Sequence, residues 1–238
     1  YPPPGRLFQV EYAMQAINNA AAAVGVLCDE GIVIAGEKKV SSKLLAPAKT
    51  SEKMYKLADH VSCAVAGLTA DANILIRTAR VAAGRHRYTY SEDIPVEDLV
   101  VQMCNHKQSY TQHGGLRPFG VSFLYAGWDK YHGYQLYLSD PSGNYGGWKA
   151  TAIGQNNQTA QSTLKSEYKP ELSWVEALQL SIKTLGKALD TTSPSPEKLE
   201  VTTLQRIDGR VVQRTLSTAE VADLIKAVQE AEASAGDA

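Results

Sequence analysis

Gly5-Arg6-Leu7-Phe8-Gln9-Val10-Glu11-Tyr12-Ala13-Met14-Gln15-Ala16-Ile17 is the stretch whose reading decides the fold. Wound at 3.6 residues per turn, it places Leu7, Val10, Met14 and Ile17 in one apolar stripe. Phe8, Tyr12 and Ala16 form a second stripe on another side, with Glu11, Gln15 and Asn18 in the wedge between them. An ordinary surface helix has one apolar stripe and a broad wet back. Two stripes leave two readings open: one face for the chain's own domain and one for a neighbour, or a helix buried inside one large monomer.

Outward from this helix, bulk properties narrow the class. The chain has 238 residues, 44% of them hydrophobic, which is enough for a proper core. A formal net charge of -1 argues against a nucleic-acid surface. No apolar run reaches the length of a membrane span, and the N-terminus lacks the basic-then-apolar profile of a signal peptide. The three cysteines, Cys28, Cys63 and Cys104, are widely spaced in apolar patterns and read as buried thiols of a reducing compartment.

The rest of the chain reads as strand blocks separated by helices, mostly in pairs. Ala22 to Leu27 and Ile32 to Ala35 are two strands around the turn Asp29-Glu30-Gly31, and Val61 to Ala66 is a third. Thr69 is placed to cap a helix reaching about Arg85, and Pro95 opens another with Val96, Leu99, Val100, Met103 and Tyr110 on one side. Strands follow at Gly120 to Ala126, Tyr134 to Leu138 and Trp148 to Ile153, with Asp140-Pro141-Ser142-Gly143 as the turn between the last two. A helix from about Asn157 to Tyr168 precedes one opened by a Ser173-x-x-Glu176 capping box, with Leu178, Ile182, Leu185 and Leu189 on one face. After the connector Ser193-Pro194-Ser195-Pro196, Val201 to Ile207 and Val211 to Arg214 form a hairpin around Asp208-Gly209. A last helix begins at Ser217-x-x-Glu220 and fades into a frayed end over 230–238. No linker is long enough to divide the chain, so 1–238 reads as one domain with 1–19 as its leading segment. The alternation points to antiparallel sheets with helices stacked outside them, which several α+β folds share.

No motif for independent chemistry stands out. The five histidines, His60, His86, His106, His113 and His132, form no His-Glu-x-x-His, and no Cys-x-x-Cys exists, so no metal site is expected. There is no phosphate-binding loop and no Gly-x-Ser-x-Gly elbow, and no cofactor is expected. Asn157-Gln158-Thr159 is formally a glycosylation acceptor and is better read as a helix start. Arg77, Arg80, Arg85 and Arg87 read as a solvated or subunit-facing side of their helix.

A family resemblance adds what the pattern leaves open. Pro3-Pro4-Gly5-Arg6-Leu7-Phe8-Gln9-Val10-Glu11-Tyr12-Ala13, followed by Gln15-Ala16-Ile17, resembles the N-terminal signature of alpha-type subunits of the proteasome core particle. Tyr110-Thr111-Gln112, Gly114-Gly115, Arg117-Pro118-Phe119-Gly120, Gly127-Trp128-Asp129 and Ser139 to Thr151 follow the same pattern. The resemblance implies the αββα four-layer sandwich of N-terminal-nucleophile hydrolases, an α+β fold, with an extra N-terminal helix. It implies a hetero-heptameric ring with other alpha-type subunits, stacking on beta-type subunits, and docking of the C-terminal tails of regulatory particles. Neither nucleic acid nor membrane is a partner in this reading, and its setting is cytoplasmic and nuclear.

The same resemblance assigns residues. Active relatives use an N-terminal Thr whose free amine helps activate its hydroxyl; the matching place is Ala20-Ala21-Ala22-Ala23, which has no side-chain oxygen. Glu37 stands where an Asp is usual, Lys53 matches the supporting lysine and Gly67 the oxyanion-side glycine. An inactive, structural and gating subunit is therefore expected, with no catalytic residue; the competing reading is an active N-terminal-nucleophile hydrolase, which intact mass separates. Phe8 and Tyr12 are expected as ring contacts, and Pro3 and Tyr12 as supports of the pore gate. Lys53, in Ser51-Glu52-Lys53, with Leu68 as apolar wall and Ala20 where a glycine is usual, is expected to receive a regulator's C-terminal carboxylate. The Tyr-Asp pair of the family's gate has no counterpart from Tyr1 onward, which places it in a tail upstream.

Overall fold

The computed structural model describes residues 5, 7–38, 44, 53–191 and 194–236. Helix α1 (Phe8–Asn18) starts later than its signature because Gly5 stands at φ +70°, outside the helical region. Its first stripe goes inward at Val10 and Ile17, while Phe8 and Tyr12 stay exposed.

Among the described residues two five-stranded antiparallel sheets follow. Sheet A has the order β10-β9-β2-β1-β8 and comprises β1 (Ala23–Cys28), β2 (Gly31–Glu37), β8 (Ala150–Ile153), β9 (Leu199–Ile207) and β10 (Arg210–Thr215). Sheet B runs β3-β4-β5-β6-β7, from β3 (Met54–Ala58), β4 (Val61–Gly67), β5 (Val121–Asp129), β6 (Gly133–Ser139) and β7 (Tyr145–Gly147). The helices are α2 (Thr69–Tyr90) and α3 (Val96–Gln112), then α4 (Asn157–Glu167), α5 (Trp174–Ala188) and α6 (Thr218–Gly236).

Strand alternation divides the interior into three layers. Val24, Val26, Val33 and Ala35 of sheet A pack with Ala177, Leu185 and Val221 of α5 and α6. Ala23, Ile32 and Ile34, one residue out of step, meet Ala64, Ala66, Leu124, Ala126 and Leu136 of sheet B. Val61, Cys63, Phe123 and Tyr125 on the far face of sheet B pack against Leu75, Leu99, Val100 and Met103 of α2 and α3. Helices, sheet, sheet, helices: this is the αββα sandwich, with α1 as the added element. The sheets approach closely at Gly25, where a Cβ would stand 2.9 Å from Leu136 Cδ1.

Several local expectations need correction. Thr69 is the first helical residue of α2 and not its cap; Leu68 holds that place with no side-chain bond. The strand read from Trp148 to Ile153 is β8, which begins only at Ala150, and the short β7 just ahead of it, in the other sheet, was not foreseen. Trp148 N–H donates to Leu136 of sheet B (2.8 Å), and the next carbonyl, Lys149, accepts from Leu27 of sheet A (2.8 Å). The turn at Asp140 therefore joins β6 to β7. Strand β3 had no sequence signal, and α6 continues past Glu230 to Gly236. The Ser173–Glu176 capping box, the Ser217–Glu220 pairing and the turn at Asp208 (φ 50°) and Gly209 (φ 78°) all form. Cys28, Cys63 and Cys104 are buried free thiols.

Candidate functional site

One end of the sandwich gathers the residues that the sequence singled out. Antiparallel pairing brings the start of β1, the end of β2, the start of β3, the end of β4 and the start of β5 to this end. Helix α1 hands over to β1 through Ala20, whose N–H donates to Ile17 (2.9 Å) and whose carbonyl accepts from Gln155 (2.8 Å). The Ala21 carbonyl accepts a hydrogen bond from Lys53 Nζ. Lys53 is only 6% exposed, and its stem crosses Gly36, where a Cβ would stand 2.9 Å from Lys53 Cγ. Gly154, at φ +89°, closes on the same Ala21 carbonyl, which a Cβ there would meet at 2.5 Å. Glu37 N–H donates to Ala22 (3.0 Å), and its carboxylate accepts from Gln155 Nε2 (3.1 Å).

Beside Lys53 the chain turns from β4 into α2. The Lys53 carbonyl accepts from Val65 N–H (3.2 Å), which fixes the end of β4 against it. Gly67, at φ +131°, and Leu68 follow; Leu68 N–H donates to the Gly120 carbonyl (2.9 Å) and its side chain is 46% exposed. Asp71, buried in the first turn of α2, accepts both prongs of Arg117 (2.7 and 2.9 Å) and the Gly120 N–H (2.9 Å). The Arg117 fork holds the Asp71 carboxyl below the usual carboxylate range, against the upward pull of burial.

The chemistry available follows from these atoms. Ala20, Ala21, Ala22 and Ala23 offer methyl groups and no side-chain oxygen here, and their nitrogens are amides in a chain continuous with α1. The buried Lys53 ammonium, on the Ala21 carbonyl, puts a positive charge at the end of the sandwich that also carries the half-exposed Leu68. Such a pairing is suited to binding a carboxylate with an apolar neighbour. Among the described residues no His, Cys, Asp and Glu cluster is arranged to hold a metal ion.

Ala20, Lys53 and Leu68 lie at the same end of the sandwich, as do Glu37 and Gly67. Tyr12 lies on α1 next to Phe8, while Pro3, Ser51 and Glu52 fall outside the described residues. Gln155, Asp71 and Arg117 belong to the same end and carried no sequence signal as site residues. At the opposite end a cleft of about 720 Å³ lies among charged groups that pair with one another, Lys56 with Asp59 (2.7 Å) and Lys130 with Glu92 (2.8 Å). Of the helical arginines, Arg80 donates to the Lys56 carbonyl (2.9 Å) and Arg87 approaches Asp59 (3.6 Å), so these two turn back onto their own chain.

Fold and site together define an N-terminal-nucleophile sandwich with a helix retained ahead of its first strand. Residues 17–204 match the family described as Proteasome subunit. The chain is 59% identical over 213 residues to proteasome subunit alpha type-4-A of Arabidopsis thaliana, covering 90% of this chain and 85% of that one. It is 62% identical over 201 residues to proteasome subunit alpha type-4 of Spinacia oleracea (84% and 80% covered), and 58% identical over 217 residues to that of Petunia hybrida (91% and 87%). The chain belongs to the proteasome subunit family.

Proposed function

We propose that this chain is a non-catalytic alpha-type subunit of the proteasome outer ring, acting in ring assembly, control of substrate entry and docking of regulatory particles. The observation that carries the reading is the run Ala20 to Ala23: methyl groups and in-chain amides stand where the fold's chemistry needs a hydroxyl and a free amine. The alpha type-4 names of its relatives support it. Its partners are other alpha-type subunits, beta-type subunits and regulator tails, and its setting is the cytoplasm and nucleus. Co-expression with the other ring subunits tests this: the chain should enter a large assembly with its intact mass preserved. A species that stays near 25.8 kDa, or loses the α1 segment, overturns it.

Within that reading, Lys53, Leu68 and Ala20 form the pocket for an activator's C-terminus. The carboxylate would meet the Lys53 ammonium, and Leu68 would exclude water from the contact. A hydrogen bond to a charged group contributes roughly 1.5–3 kcal/mol, or about ten- to a hundredfold in affinity. Lys53→Ala and amidation of the peptide terminus should each cost that much, and together little more, because they remove one interaction. Equal binding of free-acid and amidated peptides to the wild-type pocket refutes the assignment.

A further inference from the structure

We propose that Asp71 and Arg117 form a positioning clamp that sets the Leu68 wall of this pocket; the inference rests on the pocket reading above. Leu68 is located by Gly120 twice. Its N–H donates to the Gly120 carbonyl (2.9 Å), and its side chain lies so close that a Cβ on residue 120 would stand 2.9 Å from Leu68 Cδ1. Gly120 is in turn held through its N–H by the Asp71 carboxylate (2.9 Å). The carboxylate is aimed by Arg117, whose two prongs reach both of its oxygens and which also donates to the Pro118 carbonyl (3.1 Å). Asp71 is 4% exposed and sits in the first turn of α2, where a carboxylate is favoured by the helix dipole. Among the described residues the hydrogen bonds of Arg117 go to Asp71 and Pro118, so its influence on a docked peptide is routed through Gly120 and Leu68.

This chain of contacts predicts which part of the recognition Arg117 controls. Loss of the fork releases the loop that carries Gly120 and lets Leu68 drift, weakening the apolar contact while leaving the ammonium in place. Free-acid and amidated peptides should therefore lose affinity by the same factor, on the order of tenfold, the size of effect that one misplaced apolar contact in a pocket produces.

The experiment uses the assembled particle and a photo-crosslinking peptide ending in an apolar residue with a free carboxylate, beside its amidated twin, with labelling read on this chain. In Arg117→Gln both peptides should weaken equally, Leu68→Ala should lose the same amount, and the double variant should lose little more. Arg117→Lys, which keeps the charge and loses the fork, should fall between; it replaces the glutamine variant if that one fails to assemble. Equal labelling by the two peptides in wild type overturns the pocket reading and the clamp with it. A wild-type preference for the free acid, with the Arg117 variants binding at full strength or adding their loss to that of Leu68→Ala, overturns the clamp alone.

Discussion

Phe8 and Tyr12 stack on the outward side of α1, their ring centroids 6.3 Å apart and their planes within 20° of parallel. They are 54% and 56% exposed, whereas Val10 and Ile17 on the same helix are buried. The two stripes of the signature thus separate, one inward and one outward. An apolar pair this open costs little to truncate in the isolated chain and much in a complex that covers it.

Phe8→Ala and Tyr12→Ala should each change monomer stability by no more than about 0.5 kcal/mol. If a ring neighbour covers them, each should weaken assembly by roughly 1.5–3 kcal/mol. Thermal unfolding of the monomer and native mass of the assembly check this. Lowered monomer stability with an intact ring would place the pair in the chain's own fold.

Lys107 gives a pH dependence with a definite sign. It is fully buried in α3, with its ammonium on the Val121 carbonyl (3.1 Å), the Ser139 hydroxyl (2.9 Å) and the Phe123 ring face (4.9 Å). Burial pushes it down from 10.5 to about 8, opposed weakly by Cys104, Asp140 and Cys63. Between those values the unfolded chain binds more protons, so stability from this group rises with pH, fully present above 10.5 and lost as pH falls through about 8. Relative to Lys107→Met, the wild type should gain about 3 kcal/mol across that window. Taking the difference offsets the contribution of the buried thiols, which burial pushes up from their ordinary value. Parallel urea-denaturation curves for the two proteins would show that Lys107 does not titrate this way.

Gly67 is the tightest backbone position at the candidate site. A Cβ there would lie 2.1 Å from the Gly120 carbonyl oxygen, at a φ of +131° that side chains avoid. Gly67→Ala should cost about 2–4 kcal/mol and shift Leu68. Urea unfolding measures the first effect and peptide labelling the second.

A hydroxyl alone should not make this chain an enzyme. Ala21→Thr supplies the missing oxygen near Lys53, but the residue's nitrogen stays an amide and cannot take a proton as a free amine would. The purified variant should release no product from a fluorogenic peptide above the wild-type background. Turnover, or cleavage ahead of residue 21, would show that the scaffold is still competent.

What could be read in advance had local causes. The double stripe of α1, the Ser173–Glu176 box and the Asp208-Gly209 turn are each set by residues a few places apart, and all formed. Strand β3 offered only Met54-Tyr55-Lys56-Leu57-Ala58, too short and mixed to show a period, and it exists because β4 pairs with it. The change of sheet between Gly147 and Ala150 leaves no mark, since β7 and β8 are three and four residues long, too short to show a period. Lys107 looks like any surface cation of a helix and is buried because sheet B supplies its acceptors. At the candidate site, Lys53, Leu68 and Ala20 were visible only through the family signature. Gln155 with Glu37, and Arg117 with Asp71, join residues far apart in sequence and belong to no local pattern.

The strand orders also set a timetable. Sheet B is built from five strands consecutive in the chain, so it can form with α2 and α3 while synthesis continues. Sheet A cannot: β2 lies between β1 and β9, and Ile34 must wait for Thr202. Until the C-terminal third emerges, Val24, Val26, Val33 and Ala35 lack their cover from α5 and α6, and the layer between the sheets lacks Leu204. A nascent chain in that interval presents a broad apolar sheet face to the cell, the kind of surface that chaperones hold and that aggregates otherwise. Strands β9 and β10, followed only by α6 among the described elements, complete the sheet, and a chain truncated before them is left with β2 unpaired along one edge.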